Sequence, residues 1–278
     1  MDETTLQIAR SEALLQMHHK ADAAKQELIQ AYEFYKNELK ENQHLTPYQR
    51  GQLHGRVWEI EQIFGHHGLF LSTAGQDIFI YNNFFKNKKN GIYLEVGGYN
   101  GWRGSNCYFF EKTLDWQGVI VEASPTQVKN IAQYRNAKII HAALSDSDGV
   151  AQFIDMVGGL TQMSGLVEHL SENGLQKVRN YTDHQEQYIE VPTMTLNSLL
   201  DLEKLTHIDY CSIDVEGAER AILSKFDFDR YDISVFSVEN NTSNTASSVS
   251  DILIPAGYRV VGVVGADEIY IKNTFHKK

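Results

Sequence analysis

Hydrophobic positions follow two different rhythms along the chain. From Thr4 to about Lys40, apolar residues recur at helical intervals (Leu14, Leu15, Met17, Leu28, Ile29, Tyr32, Tyr35, Leu39) in a stretch free of Pro and Gly. One long helix is predicted there. Thr46-Pro47-Tyr48-Gln49 then offers a hydroxyl N-cap, a proline at the first helical position and a glutamine at the capping-box position, so a second helix is expected to run to about Gly65. Residues 1–65 therefore read as a helical hairpin, and its apolar face needs cover from the rest of the chain or from a second copy in a homodimer.

After Gly65 short β-branched and aromatic runs alternate with helical ones. Strands are predicted at Ile92 to Val96, Val119 to Glu122, Lys138 to Ala142, Ile208 to Asp214, Ile233 to Glu239, Arg259 to Val264 and Glu268 to Lys272. Helices are predicted at Asn106 to Leu114, Pro125 to Arg135, Leu196 to Glu203, Gly217 to Phe226 and Ala246 to Ile254, with Ser124, Pro125 and Gln127 forming a second capping signal. Nearly all-apolar strands alternating with helices predict an α/β fold, a mostly parallel sheet covered on both faces, over residues 66–278. The last two strands are separated only by Gly265-Ala266-Asp267, too short for a crossover, and must form an antiparallel hairpin. Between Leu144 and Thr195 the alternation lapses into two short strands, Ala151 to Asp155 and Tyr188 to Pro192, around Gly158 to Leu166, a glycine-jointed loop suited to a lid or pocket wall.

Composition narrows the function classes. The formal charge of -11 disfavours a nucleic-acid partner, and no apolar run approaches the ~20 residues of a membrane span. The start, MDETTLQIAR, has no apolar core of a secretory signal, so a cytoplasmic location is the expectation. Cys107 and Cys211 sit in apolar segments and read as buried thiols. His18-His19 and His66-His67 are adjacent pairs that point in different directions on a helix, so they read as surface histidines.

The candidate chemistry begins at Glu95-Val96-Gly97-Gly98-Tyr99-Asn100-Gly101, where the first strand of the sheet breaks into a turn. Such a turn is the usual ligand cradle of an open parallel sheet, its glycines letting a ligand approach without meeting a Cβ. A pyrophosphate fits poorly, because Tyr99 stands where the dinucleotide fingerprint needs a glycine and Glu95 repels an anion. S-adenosylmethionine, with an ammonium and a sulfonium and no phosphate, fits better. Glu122 supplies an acid for ribose hydroxyls at about the ~20-residue spacing expected downstream.

These residues resemble the FkbM-type S-adenosylmethionine-dependent methyltransferases. The likeness runs from about Leu71 to Lys272 and is carried by AGQDIFIYNNFF (74–85), YLEVGGYNGWRGSNCYFFEKTLDWQGVIVEASP (93–125), VPTMTLNSLL (191–200) and IDYCSIDVEGAERAIL (208–223). The resemblance implies a class I methyltransferase fold, Rossmann-like, with a seven-stranded mostly parallel sheet. It also implies that Glu95, Gly97 and Gly101 line the methionine end of the cofactor, that Glu122 takes the ribose, and that His141 to Leu144, including Ala143 and Leu144, flank the adenine. Gln76 and Asn106 match positions near the cofactor. Asn100 departs from the family's more usual aspartate.

Ser212 to Glu219 ends another strand and brings carboxylates to the same edge. Asp214, Glu216 and Glu239 are the candidate bases for an acceptor hydroxyl, with Asp214 also beside the cofactor, His141 behind them, and Glu219 read as a helix-end stabiliser. Asp214, Glu239 and Asn240 could instead offer oxygens to Mg²⁺ or Mn²⁺; metal-free base catalysis ranks ahead. The expectation is an O-methyltransferase acting on a small-molecule or sugar-containing (glycan-type) acceptor. The alternatives are an NAD-dependent oxidoreductase and a non-catalytic assembly module with a relict pocket.

Overall fold

The computed structural model describes residues 24–240 and 249–276. Residues 24–41 form α1 and Pro47–Ile63 form α2, whose capping box is made as predicted: the Thr46 hydroxyl accepts from the Gln49 N–H at 3.2 Å and the Gln49 side chain accepts from the Thr46 N–H at 3.0 Å. Arg50 ties the two helices by donating to the carbonyls of Leu39 and Asn42. Leu28, Ile29, Tyr32, Tyr35 and Leu39 are half-buried; Leu14, Leu15, Met17 and His18-His19 lie outside the described residues. The Trp58 indole donates to the Ser72 carbonyl at 2.8 Å, and Gly51 approaches the Gly265 carbonyl so closely that a Cβ there would lie 2.8 Å away. His67 is not the surface residue expected, since its ring stacks on Trp58 with centroids 3.7 Å apart.

Next, α3 (Gln76–Ile80) runs into a π-helical turn, Tyr81–Phe85, in a segment to which the periodicity assigns no element. Then come β1 (Ile92–Val96), α4 (Tyr108–Leu114), β2 (Gln117–Glu122), α5 (Pro125–Tyr134), β3 (Lys138–His141), β4 (Ala143–Leu144), β5 (Gly149–Gly158), β6 (Gly165–Leu166), α6 (Glu172–Arg179) and β7 (Gln185–Met194). The chain ends with α7 (Leu196–Glu203), β8 (His207–Ile213), α8 (Glu219–Ser224), β9 (Asp232–Glu239), α9 (Ser250–Leu253), β10 (Tyr258–Val264) and β11 (Asp267–Lys272).

The seven strands predicted for the main sheet form it, in the order β10-β11-β9-β8-β1-β2-β3. β11 runs antiparallel to β9 and β10, while β1, β2, β3, β8 and β9 pair in parallel. This is the class I methyltransferase topology, and its winding reverses between β1 and β8. Alternate residues serve opposite faces. Leu94, Val96, Cys211 and Ile213 pack with Leu199, Ile222 and Leu253, whereas Tyr93, Ile120, Tyr210 and Val235 pack with Phe85, Phe110 and Ile131. Helices therefore cover both sides, and both cysteines are buried and free.

Local differences have local causes. α8 begins at Glu219 rather than Gly217 because Glu216 and Gly217 hold φ of 59° and 118°, which no α-helix accommodates. At Ser124 the hydroxyl caps the Gln127 N–H, but the return arm of a capping box is missing because the Gln127 side chain accepts from Asn130 instead. The hairpin turn is one residue tighter than expected, Asp267 already pairing with Val264. β5 and β7 are ten residues each, about twice the predicted strands, and with β4 and β6 they make a second sheet, β4-β7-β5-β6. Gly158 to Leu166 folds back along β5 through a 3-10 turn, Thr161–Met163, and β6. The described part of the helix predicted from Ala246 is α9.

Candidate active site at the carboxyl ends of the strands

β1 stops because the next backbone positions cannot carry side chains. Gly97 has φ 87°, and a Cβ there would lie 1.8 Å from the Asp214 carbonyl oxygen; at Gly98 it would lie 2.2 Å from the Ile120 side chain. Gly101, also at φ 87°, packs against Ile131, where a Cβ would be 2.9 Å from Cα. These glycines serve the packing of β1 on β8 and α5. Ligand clearance, the reason expected from sequence, is not what requires them.

Glu95 also has a different employment. Its carboxylate, 4% exposed, accepts from the fully enclosed Arg135 guanidinium at 2.8 Å and from the Ser105 hydroxyl at 2.6 Å. Arg135 reaches Glu111 at 2.8 Å, the Gly101 carbonyl at 3.0 Å and the Tyr93 hydroxyl at 2.9 Å as well. A charge already neutralised in this way offers little to a cationic ligand. No motif in the sequence marks Arg135, which lies just past the end of α5.

The cleft itself opens above Val96 and Gly97. Its walls include Tyr99, Glu122, Ala143, Leu144, Phe153, Thr161, Asp214 and Glu216, and it encloses about 100 Å³. Gly97, Glu122, Ala143, Leu144 and Asp214 are thus brought together as the sequence predicts. Gln76, Glu95, Gly101 and Asn106 stand behind the walls, and His141 is exposed with its ring on the Ala123 carbonyl. Thr161 to Leu166 forms one wall, which bears out the lid-like reading of that loop as a pocket wall; its Thr161 hydroxyl lies 2.8 Å from the Tyr99 hydroxyl. Ligand pockets span roughly 300–1,000 Å³, so the cleft in this closed form is smaller than a nucleoside site.

Glu122 accepts from the Tyr99 N–H at 2.8 Å through one oxygen and from the Ser124 N–H at 2.7 Å through the other. Burial pushes its pKa up to about 7 despite those donors, with Asp155 adding to the rise. Each oxygen keeps lone-pair capacity for a further donor.

At the β8 and β9 ends, Asp214, Glu216 and Glu239 place one carboxylate oxygen each within 4.8 Å of one another. Burial raises the pKa of Asp214, which shares a hydrogen bond with Glu239. Burial and then the charges of Asp214 and Glu219 push Glu216 up to about 9. Glu239 is raised by burial and by Asp214, Glu216, Glu219 and Asp267. Glu219 caps the turn before α8, accepting from the N–H groups of Val215 and Gly217, the role expected for it. Among the described residues, no lysine, arginine or histidine pairs with Asp214, Glu216 or Glu239.

Asp267 joins this group from β11, opposite Glu239, with a pKa pushed up to about 8 by burial and by Asp214. Its carboxylate accepts from Gln76 at 3.0 Å and from Asn106 at 3.5 Å. Asn106 also donates to the Ser212 hydroxyl, leaving its own buried carbonyl oxygen without a partner. Gln76 and Asn106 therefore stand behind the acids, not in the cleft wall. Asp267 carries no sequence signal of this role, since it closes the Gly265-Ala266-Asp267 segment predicted as the hairpin turn. Asn240 donates its side-chain amide to Glu268 at 3.2 Å.

The donor set suits S-adenosylmethionine. A twin-oxygen acceptor at Glu122, flat apolar walls at Ala143, Leu144 and Phe153, and unneutralised carboxylates beside Asp214 match ribose, adenine and a cationic end in turn.

The family model described as the methyltransferase FkbM domain matches residues 95–260. No curated protein matches the chain. Among solved structures, the FkbM methyltransferase of Methylobacillus flagellatus is similar at 7% identity and a TM-score of 0.42, over 87% of this chain and 58% of that one, so the chain spans less than two thirds of that protein's length. A TehB-like SAM-dependent methyltransferase from Corynebacterium glutamicum is similar at 8% identity and TM-score 0.39, over 77% of this chain and 94% of its own. Fibrillarin from Aeropyrum pernix, solved with natively bound S-adenosyl-L-methionine, is similar at 11% identity and TM-score 0.38, over 73% and 74%.

Proposed function

Since this chain belongs to the FkbM methyltransferase family, we propose that it uses S-adenosylmethionine to methylate a hydroxyl group of a small-molecule or sugar-containing acceptor. The observation that carries this reading is the pairing of one cleft with two kinds of carboxylate. Glu122 is fixed by backbone donors, and the group of Asp214, Glu216 and Glu239 has no cation of its own.

Bound there, S-adenosylmethionine supplies a methyl group on a positively charged sulfur. Glu122 accepts hydrogen bonds from the ribose hydroxyls, and Ala143, Leu144 and Phe153 flank the base. Asp214 and its neighbours compensate the positive charge in a site where burial strengthens the interaction. The same carboxylates orient the acceptor hydroxyl and take its proton, which requires a pKa near the working pH. Burial and mutual repulsion move them toward that range. Tyr99 and Thr161 close the cleft and keep water from the reacting groups.

A screen of sugars, small alcohols and amines with methyl-labelled S-adenosylmethionine, read by mass spectrometry, tests the proposal. Label on a hydroxyl oxygen supports it. Label confined to nitrogen or carbon acceptors contradicts the hydroxyl assignment.

A further inference from the structure

A second cavity, larger than the cleft, lies between the helical hairpin and the edge of the sheet. It holds about 720 Å³ and is bounded by α1, α2, α3 and β10. Its floor is apolar, with Trp58, Phe79 and Val263, and its rim carries Lys36, Arg50 and His54. No residue assigned to the methyl-transfer chemistry lines it.

The charge at the rim is unbalanced. The Arg50 guanidinium is spent on two neutral carbonyls, and the Lys36 ammonium lies 5.4 Å from the Tyr32 ring centroid with no carboxylate partner among the described residues. The one carboxylate in the wall, Glu61, is turned away to the Tyr32 hydroxyl at 2.9 Å and the His67 ring at 2.8 Å. The pKa of His54 is lowered, first by burial and then by the charges of Arg50 and Lys36 beside it. In a chain of net charge -11 that is a local reversal.

We infer that this cavity is a binding site for a small anionic amphiphile, an aliphatic or aromatic body in the Trp58 and Phe79 floor with a carboxylate or phosphate head at Lys36, Arg50 and His54. The volume falls in the range of ligand pockets, and cationic groups with no carboxylate partner among the described residues favour an anion over a neutral or cationic head. Two residues of its wall, Ala74 and Gly75, immediately precede Gln76, whose side-chain amide donates to Asp267 at 3.0 Å.

The full chain is titrated with octanoate, octyl phosphate and octan-1-ol, following the His54 ring protons by NMR. At least one anion is expected to bind about tenfold or more tightly than the alcohol. It should also raise the His54 pKa by setting a negative charge against Lys36 and Arg50, with Glu61 remaining on Tyr32 and His67. Tighter binding of octyl phosphate assigns the head to a phosphate ester, and tighter binding of octanoate to a carboxylic acid. Lys36→Glu, an exposed change that leaves the fold intact, should weaken the anion about fivefold to tenfold and leave the alcohol unchanged. Equal binding of all three compounds, an unaffected Lys36→Glu variant, or silent His54 protons overturns the inference.

Discussion

The Arg135 guanidinium and the Glu95 carboxylate stand 2.8 Å apart, both buried. This ion pair fixes the bend after β1, because the same nitrogen that holds Glu95 also holds the Gly101 carbonyl at 3.0 Å. Removing Arg135 strands Glu95 and Glu111 as buried charges. Arg135→Met is expected to destabilise the fold by about 3–5 kcal/mol, read from the urea unfolding midpoint. A loss under about 1 kcal/mol would show that the network is not what holds the bend.

The same network sets an acid limit. Burial alone would raise the pKa of Glu111, but Arg135, the Asn136 N–H, Lys112 and Tyr93 bring it down to about 2. A carboxylate with a depressed folded pKa contributes stability that is present above its unfolded pKa and lost as pH falls through the folded one. Stability should therefore decline between about pH 4.5 and pH 2, and Glu111→Gln should flatten that part of the profile.

The acids at the β8 and β9 ends act with the opposite sign. Glu216, with a folded pKa of about 9 against 4.5, binds its proton more tightly in the folded state, so its contribution falls as pH rises between those values. Glu216→Gln is expected to stabilise the protein at pH 8 by about 1–3 kcal/mol, part of the shift being discounted for its partial exposure. Thermal unfolding at pH 5 and pH 8 measures this, and a variant that gains nothing at pH 8 removes the claim of unneutralised charge.

Loss of the proton acceptor should appear in the rate. Asp214→Asn and Glu239→Gln are expected to lower methyl transfer about 10²- to 10⁴-fold while leaving the fold intact by circular dichroism. In the unaltered protein the rate should climb from pH 6 toward pH 9 as the carboxylates ionise. A rate independent of pH over that range contradicts carboxylate base catalysis.

The cleft should breathe at one wall. Tyr99→Phe removes the contact with the Thr161 hydroxyl, and amide exchange across residues 159–166 is expected to quicken. Unchanged exchange there would place the gate elsewhere.

Sheet and hairpin were legible in the sequence because their signals are local: β1 and α7 fall where the apolar runs put them, and Thr46 announces its own cap. Glu122 and Asp214 were legible because the topology sends strand ends to one edge, whereas Ala143 and Leu144 came from the resemblance to the family. What the sequence withheld depended on long-range partners. Glu95 looks free until Arg135, forty residues on, is seen beside it, and Asp267 looks like turn chemistry until β11 pairs it with Glu239. The length of β5 and β7 was hidden too, since β5 is bounded by glycines, Gly149 and Gly158, and β7 opens on the polar Gln185-Glu186-Gln187, and their full extent shows only in their pairing with each other.

The central claim is that this cleft holds S-adenosylmethionine through Glu122 and the unneutralised acids at Asp214. Calorimetric titration of the full chain with S-adenosylmethionine, S-adenosylhomocysteine and NAD tests it most directly. The account predicts binding of the first two, weakened about tenfold to a hundredfold in Glu122→Gln, as expected for losing hydrogen bonds to a charged acceptor, and no comparable binding of NAD. Tight NAD binding without S-adenosylmethionine binding, or affinity for S-adenosylmethionine untouched by Glu122→Gln, would contradict it.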